Sequence, residues 1–148
     1  MRSILPTPDM NLLLLVLITA FSALTPVKMP TLTIDITNIK KSGGSLRVAV
    51  FKPTSTFGGS KPDFHKIIPI EKPASQRLTF ELEPGNYAVA VYHDVNNNDK
   101  LDKNLVGYPR EPFGFSNNYR PVLSGPDFSD CSFEVGSTNK QIAIRLLD

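Results

Sequence analysis

The chain has 148 residues, 41% of them hydrophobic and 20% charged, a balance that suits one globular domain and excludes a disordered chain. A net charge of +2 with no long run of one sign argues against a nucleic-acid-binding surface, which needs a concentrated basic face. Thirteen prolines and nine glycines favour short strands and frequent turns over long helices.

The first 26 residues read as a secretory signal peptide. Arg2 precedes a nearly unbroken apolar run from Asn11 to Leu24, shorter than the roughly 20 residues of a membrane span. Small residues at Ala20, Ser22 and Ala23 put cleavage between Ala20 and Val27, although the bulky Phe21 sits two residues before Ala23. A retained signal anchor is the alternative. No cysteine lies nearby to carry a lipid. The expected location is exported: periplasmic, outer-envelope or secreted, with no membrane span in the mature chain.

Residues 27–148 then read as a single β-sandwich domain. Thr31–Thr37 alternates strictly, with Leu32, Ile34 and Ile36 on one face. A turn at Gly43 and Gly44 leads to Ser45–Phe51, where Leu46, Val48 and Val50 alternate, so the two runs suggest an antiparallel hairpin. Phe64–Ile70 is a weaker strand confined to an edge by Pro69. Gln76–Leu82 and Asn86–His93 are further strands, carrying Leu78, Phe80 and Leu82, then Tyr87, Val89 and Val91, inward. Ala88 and Ala90 on the other face predict that something packs closely there. A long irregular segment is expected over 94–127, followed by strands at Phe128–Val135 and Lys140–Leu147. Six or seven such strands bury one-sided apolar faces by stacking as two sheets. The expected fold is therefore an all-β antiparallel sandwich of immunoglobulin-like or transthyretin-like kind. The lone cysteine, Cys131, cannot form an internal disulfide and reads as a buried thiol sharing a strand face with Phe133 and Val135.

The segment His93–Asp102, "HDVNNNDKLD", concentrates side-chain oxygens. With Asp94 as position 1, Asn96, Asn98 and Asp102 fall at positions 3, 5 and 9, and Lys100 at position 7 would offer its backbone carbonyl. That is the ligand rhythm of a calcium loop, in which alternate residues of a curled segment aim oxygens at one hard cation. Two departures separate it from an EF-hand. Asp99 stands where glycine is usual, which requires an aspartate in the left-handed conformation. Leu105 occupies the place of the bidentate glutamate. Asn104, Glu111, water or a backbone carbonyl would have to complete the shell. The expected Ca2+ is structural and weakly held, at about 10⁻⁴–10⁻³ M. The alternative is an Asx-rich turn that bonds its own backbone and binds nothing.

The stretch from Glu83 to Asn118 resembles the domain of unknown function 2141 family of exported bacterial proteins. The resemblance rests on Pro84-Gly85 with Tyr87, the His93-Asp94 pair, the Asn-rich loop ending at Leu101-Asp102, Gly107 with Pro109 and Glu111, and Gly114 to Asn118. With the flanking strands it extends from about Thr31 to the C-terminus. It implies a β-sandwich and export, and no activity.

Tyr108, Phe113 and Phe115, with Asn117 and Asn118, lie in a Gly- and Pro-rich stretch that could bind a glycan or peptide. The preferred reading is that Phe113 and Phe115 cap an open end of the sandwich; Ser116, Asn117 and Asn118 could instead cross-brace the acidic loop. No tryptophan is present to form a sugar platform. No GxSxG, HExxH or CxxC motif occurs. A metal-dependent hydrolase built on His93, Asp94 and Asp102 is the enzymatic alternative, although strand neighbours point to opposite faces. The function expected is thus a non-catalytic exported module presenting loops to an unknown protein or glycan partner.

Overall fold

The computed structural model describes residues 28–148 except Leu123. The signal peptide read over 1–26 lies outside the described residues. Eight strands form two sheets: β1 (Thr31–Thr37), β2 (Ser45–Phe51), β3 (Phe64–Pro69), β4 (Gln76–Glu81), β5 (Gly85–Asp94), β6 (Phe113–Phe115), β7 (Phe133–Val135) and β8 (Lys140–Arg145). The small sheet has the order β4-β1-β8; the large one runs β3-β2-β5-β6, with β7 pairing the opposite end of β5. The eight strands of the described residues make up both sheets.

The core is the one the alternation predicts. Leu32, Ile34 and Ile36 face Leu46, Val48 and Val50, Leu78 and Phe80, Tyr87, Val89 and Val91, and Ile144 and Leu146 in one buried cluster. Each fully buried aliphatic side chain is worth about 1.5–3 kcal/mol, so this cluster is the main force holding the sheets together. On the small sheet mainly polar residues fill the outward positions. There Asp35 takes Arg77 Nε at 2.5 Å and Gln141 Nε2 at 2.6 Å, tying three strands together.

Several expectations are corrected. The runs Thr31–Thr37 and Ser45–Phe51 do not pair as a hairpin, because β1 and β2 lie in different sheets. The sandwich is not wholly antiparallel, because β8 runs parallel to β1. Segment 94–127 is not wholly irregular: it contains β6 and a 3₁₀ turn at Ser116–Asn118. Residues Phe128–Cys131 form one helical turn, α1, rather than the start of a strand. A reciprocal capping box between Asp127 and Asp130 satisfies the backbone there, which the strand alternation of neighbouring residues masked. Cys131 therefore shares no strand face with Phe133 and Val135, although it is fully buried. The last strand ends at Arg145. Beyond it the chain leaves the small sheet, and Leu147 exchanges two backbone bonds with Phe113, closing one corner between the sheets. Gly114 permits this crossing, since a Cβ there would meet Ile144 Cγ2 at 2.8 Å and Arg145 O at 3.2 Å.

Candidate functional site

Two features share the outer face of the large sheet: the Asx-rich loop and a groove beside it. On β5 the inward residues end with His93 and the outward ones with Asp94, yet both side chains are fully buried. Asp94 is buried from outside, by the loop that follows it and by Arg47 of the paired strand β2. Its Oδ1 accepts the Asn98 N–H at 3.1 Å, and its Oδ2 accepts the Asp99 N–H at 3.0 Å and Arg47 Nε at 2.9 Å. Arg47 also pairs with Asp99. The predicted left-handed conformation of Asp99 is found, at φ 64°, and Asn97 shares it at φ 54°. Gly44 backs onto this corner. Its φ is +72°, and a Cβ would stand 2.1 Å from Asp94 O.

The side chains of Asp94, Asn96, Asn98 and Asp102 are brought together. Asn96 Nδ2 and Asn98 Nδ2 donate to the two oxygens of Asp102, at 2.8 and 3.0 Å. These amides, Asn98 first and then Asn96, hold the Asp102 carboxyl below its ordinary value. Asn96 Oδ1 accepts the Asn98 N–H, and Asn98 Oδ1 accepts the Lys100 N–H. The cluster thus satisfies itself as a set of Asx turns. For calcium, both amides would have to turn their oxygens toward Asp102, and Asp94 would have to release Arg47. Among the described residues no group of three or more His, Cys, Asp or Glu side chains is placed to hold a metal.

The two suggested extra ligands part company. Glu111 reaches the loop and braces both of its ends, accepting the Val95 N–H at 2.9 Å and the Asp102 N–H at 3.1 Å. Asn104 does not reach it. Its Oδ1 instead accepts the N–H groups of Val106 and Tyr108, closing a separate hairpin tip. His93 points into the core, where its Nε2 donates to Gly43 O at 2.8 Å. The trio His93, Asp94 and Asp102 therefore does not converge, because the alternation of β5 puts the first two on opposite faces.

Ser116, Asn117 and Asn118 do not brace the acidic loop; this corrects the expectation. Ser116 Oγ takes the Val89 N–H at 2.9 Å and donates to Cys131 O at 2.5 Å. Asn117 Nδ2 donates to Ser132 O at 3.0 Å. Asn118 clamps β8, donating to Ala143 O and accepting the Arg145 N–H. These three hold the C-terminal elements together. Both atoms of the Asn118 amide are thus used within the fold, and Asn117 uses its Nδ2.

The aromatic residues lie elsewhere than expected. Phe113 and Phe115 belong to β6 and cover the outer face of the large sheet, not an open end of the sandwich. Phe113 stacks edge-on with Tyr108 at 5.7 Å and with Phe115 at 5.8 Å between ring centroids. Phe57, from the loop after β2, packs on Phe51, Phe115 and Phe128. Between this cluster and the loops over 101–126 lies a cavity of about 740 Å³. Ala49 and Ala90, paired across β2 and β5, make part of its lining. The close packing predicted from Ala88 and Ala90 is thus an aromatic cover over a small-residue sheet. Arg47, Phe57 and Tyr92 were not singled out from the sequence. An outward Arg on an alternating strand looks like ordinary surface, and only Phe57, alone among glycines and serines, carried a local signal.

A two-sheet module with a loop-walled groove on one outer face is the class these features define. The chain belongs to a family described as "Uncharacterized protein conserved in bacteria (DUF2141)", whose model matches residues 34–143. No curated protein matches it. Among solved structures it is similar to a pilus-presented adhesin, Spy0125 (Cpa), at 13% identity and a TM-score of 0.35. The match covers 83% of this chain and 27% of that one, and likeness at this level carries no functional argument.

Proposed function

We propose that the chain is an exported, non-catalytic binding module whose outer-sheet groove takes an extended segment of an envelope or extracellular protein. The observation that carries this reading is the cavity of about 740 Å³ walled by Phe51, Phe57, Phe113, Phe115 and Tyr108 over an alanine floor. Concave sites of that size with mainly apolar walls suit small or extended ligands. A peptide fits better than a glycan, because the chain has no Trp and both atoms of the Asn118 amide are spent on the fold. The side chains that could do chemistry are engaged structurally. His93 is buried on Gly43 O, and burial, with Asp130 nearby, pushes the Cys131 thiol up to about 12.

The test is NMR titration of residues 28–148 with proline- and aromatic-rich peptides, beside Ala90→Leu, which fills the groove. Shifts at Ala49, Ala90 and Tyr108 that vanish in the variant are expected. No shift, or equal shifts in the variant, rejects the groove, and shifts with oligosaccharides alone reject the peptide. Export is tested by fractionating cells and sequencing the mature N-terminus, which should begin between residues 21 and 27.

A structural calcium ion is the second reading of the loop, supported by Asp94 and Asn96 sharing the Asn98 N–H and by Asn96 and Asn98 meeting Asp102. On that reading millimolar calcium raises the melting temperature and Asp102→Ala abolishes the rise. Identical melts in calcium and chelator reject it.

A further inference from the structure

The floor of the groove offers a ligand no strand to pair with. β2 is paired by β3 on one edge and by β5 on the other, and the second edge of β5 is shared by β6 and β7. The His93 N–H, just beyond β6, is taken by Pro112 O. A partner segment lying over this face therefore meets side chains and cannot complete a backbone ladder. The polar side chains of the lining can all donate. Lys103 is the one charged residue among the described residues that line the cavity, and its ammonium donates without accepting; Tyr92, Tyr108 and Ser124 bring hydroxyls. None of these described lining residues carries a carboxylate or an amide side chain.

The apolar part of the lining is stepped rather than flat. Tyr108 stands at 80° to Phe113, Phe113 at 66° to Phe115, and Phe57 at 55° to Phe115. Rings set at such angles leave notches between them, which suit the puckered ring of a proline better than a flat ligand. A partner β-strand laid here would bury N–H groups with no ladder carbonyl to receive them, and each buried unpaired donor is costly. Proline has no N–H to bury, and a polyproline II chain makes no internal hydrogen bonds, so its carbonyls stay open to outside donors. Ligand and lining are then complementary: acceptors on one side, donors on the other, with aromatic walls for the rings. We propose that the occupant of the groove is a proline-rich segment in the polyproline II conformation, its carbonyls accepting from the Tyr92 and Tyr108 hydroxyls and the Lys103 ammonium. This rests on the groove reading and narrows it to one class of peptide.

The test is NMR titration of the full chain with two capped peptides of equal length, one of proline and alanine and one of valine and threonine. The proline peptide should shift Ala49, Ala90 and Tyr108, and bind about tenfold or more tightly than the valine peptide. Tyr92→Phe/Tyr108→Phe keeps the rings and removes the hydroxyls, and should weaken the proline peptide about tenfold with an unchanged melting temperature. Equal or tighter binding of the valine peptide at the same residues overturns the proposal and leaves the groove reading standing. Shifts from neither peptide overturn both. Proline-peptide shifts that persist in Ala90→Leu place the peptide outside the groove and overturn the proposal, as does full affinity in the double phenylalanine variant.

Discussion

Arg47 is the residue on which the Asx-rich loop turns. It alternates outward from β2, reaches the Asp94 carboxylate of β5 and also holds Asp99 at the left-handed corner. Asp94 is fully buried, so removal of Arg47 leaves a carboxylate with two backbone donors and no countercharge. Arg47→Met should cost about 3 kcal/mol, the scale for breaking one side of a buried pair, read as a lower urea midpoint with unchanged slope. Glu111 plays a matching part at the loop's far end by fastening Val95 and Asp102. Cys131 gives a sharper prediction. With its thiol pushed up to about 12 by burial, it should resist a thiol-reactive dye at pH 8 in the native state and react fully in urea.

Single elements show how the sheet edges are kept from pairing with other chains. The open side of β8 is blocked by Asn118, which takes Ala143 O and the Arg145 N–H in place of a neighbouring strand. On the other edge of the same sheet, Lys66 Nζ donates to Thr79 O of β4. Exposed strand edges are templates for aggregation, and such side-chain plugs are a common remedy. Asn118→Ala should cost about 1–2 kcal/mol by freeing one acceptor and one donor. It should also raise aggregation on heating, followed by light scattering. The loop after β2 works at the same scale, sending Phe57 across to Phe51, Phe115 and Phe128 so that the outer face of β2 and β5 is covered rather than exposed.

Across the whole molecule, acid stability follows from carboxylates that the fold holds ionised. Asp35 is lowered first by Arg77 and then by Gln141, Asp63 first by the Lys52 N–H and then by Ser55, and Asp102 by Asn98 and Asn96. A carboxyl whose folded value lies below its unfolded one adds stability that is present above the unfolded value and fades as pH falls through the folded one. Stability should therefore decline as pH drops below 3.8, the ordinary value of these three groups. Melting curves from pH 6 to pH 2 check this, and a flat profile would contradict it. Asp35→Asn should flatten part of the slope.

The sequence by itself determined which residues alternate. A strand's period of two is a local property, so Leu32, Ile34 and Ile36, or Tyr87, Val89 and Val91, declare their buried face with no knowledge of their partners. It also made Asp99 take the left-handed turn, because the spacing of its loop required one there. Only the tertiary structure decided what meets what. Arg47 is 47 residues from Asp94, Asn118 is 27 from Arg145, and Leu147 joins Phe113 across the sandwich corner. No local period encodes such meetings. They arise when buried faces stack and leave particular outward groups side by side, and that is how the loop met Arg47 and the groove its walls.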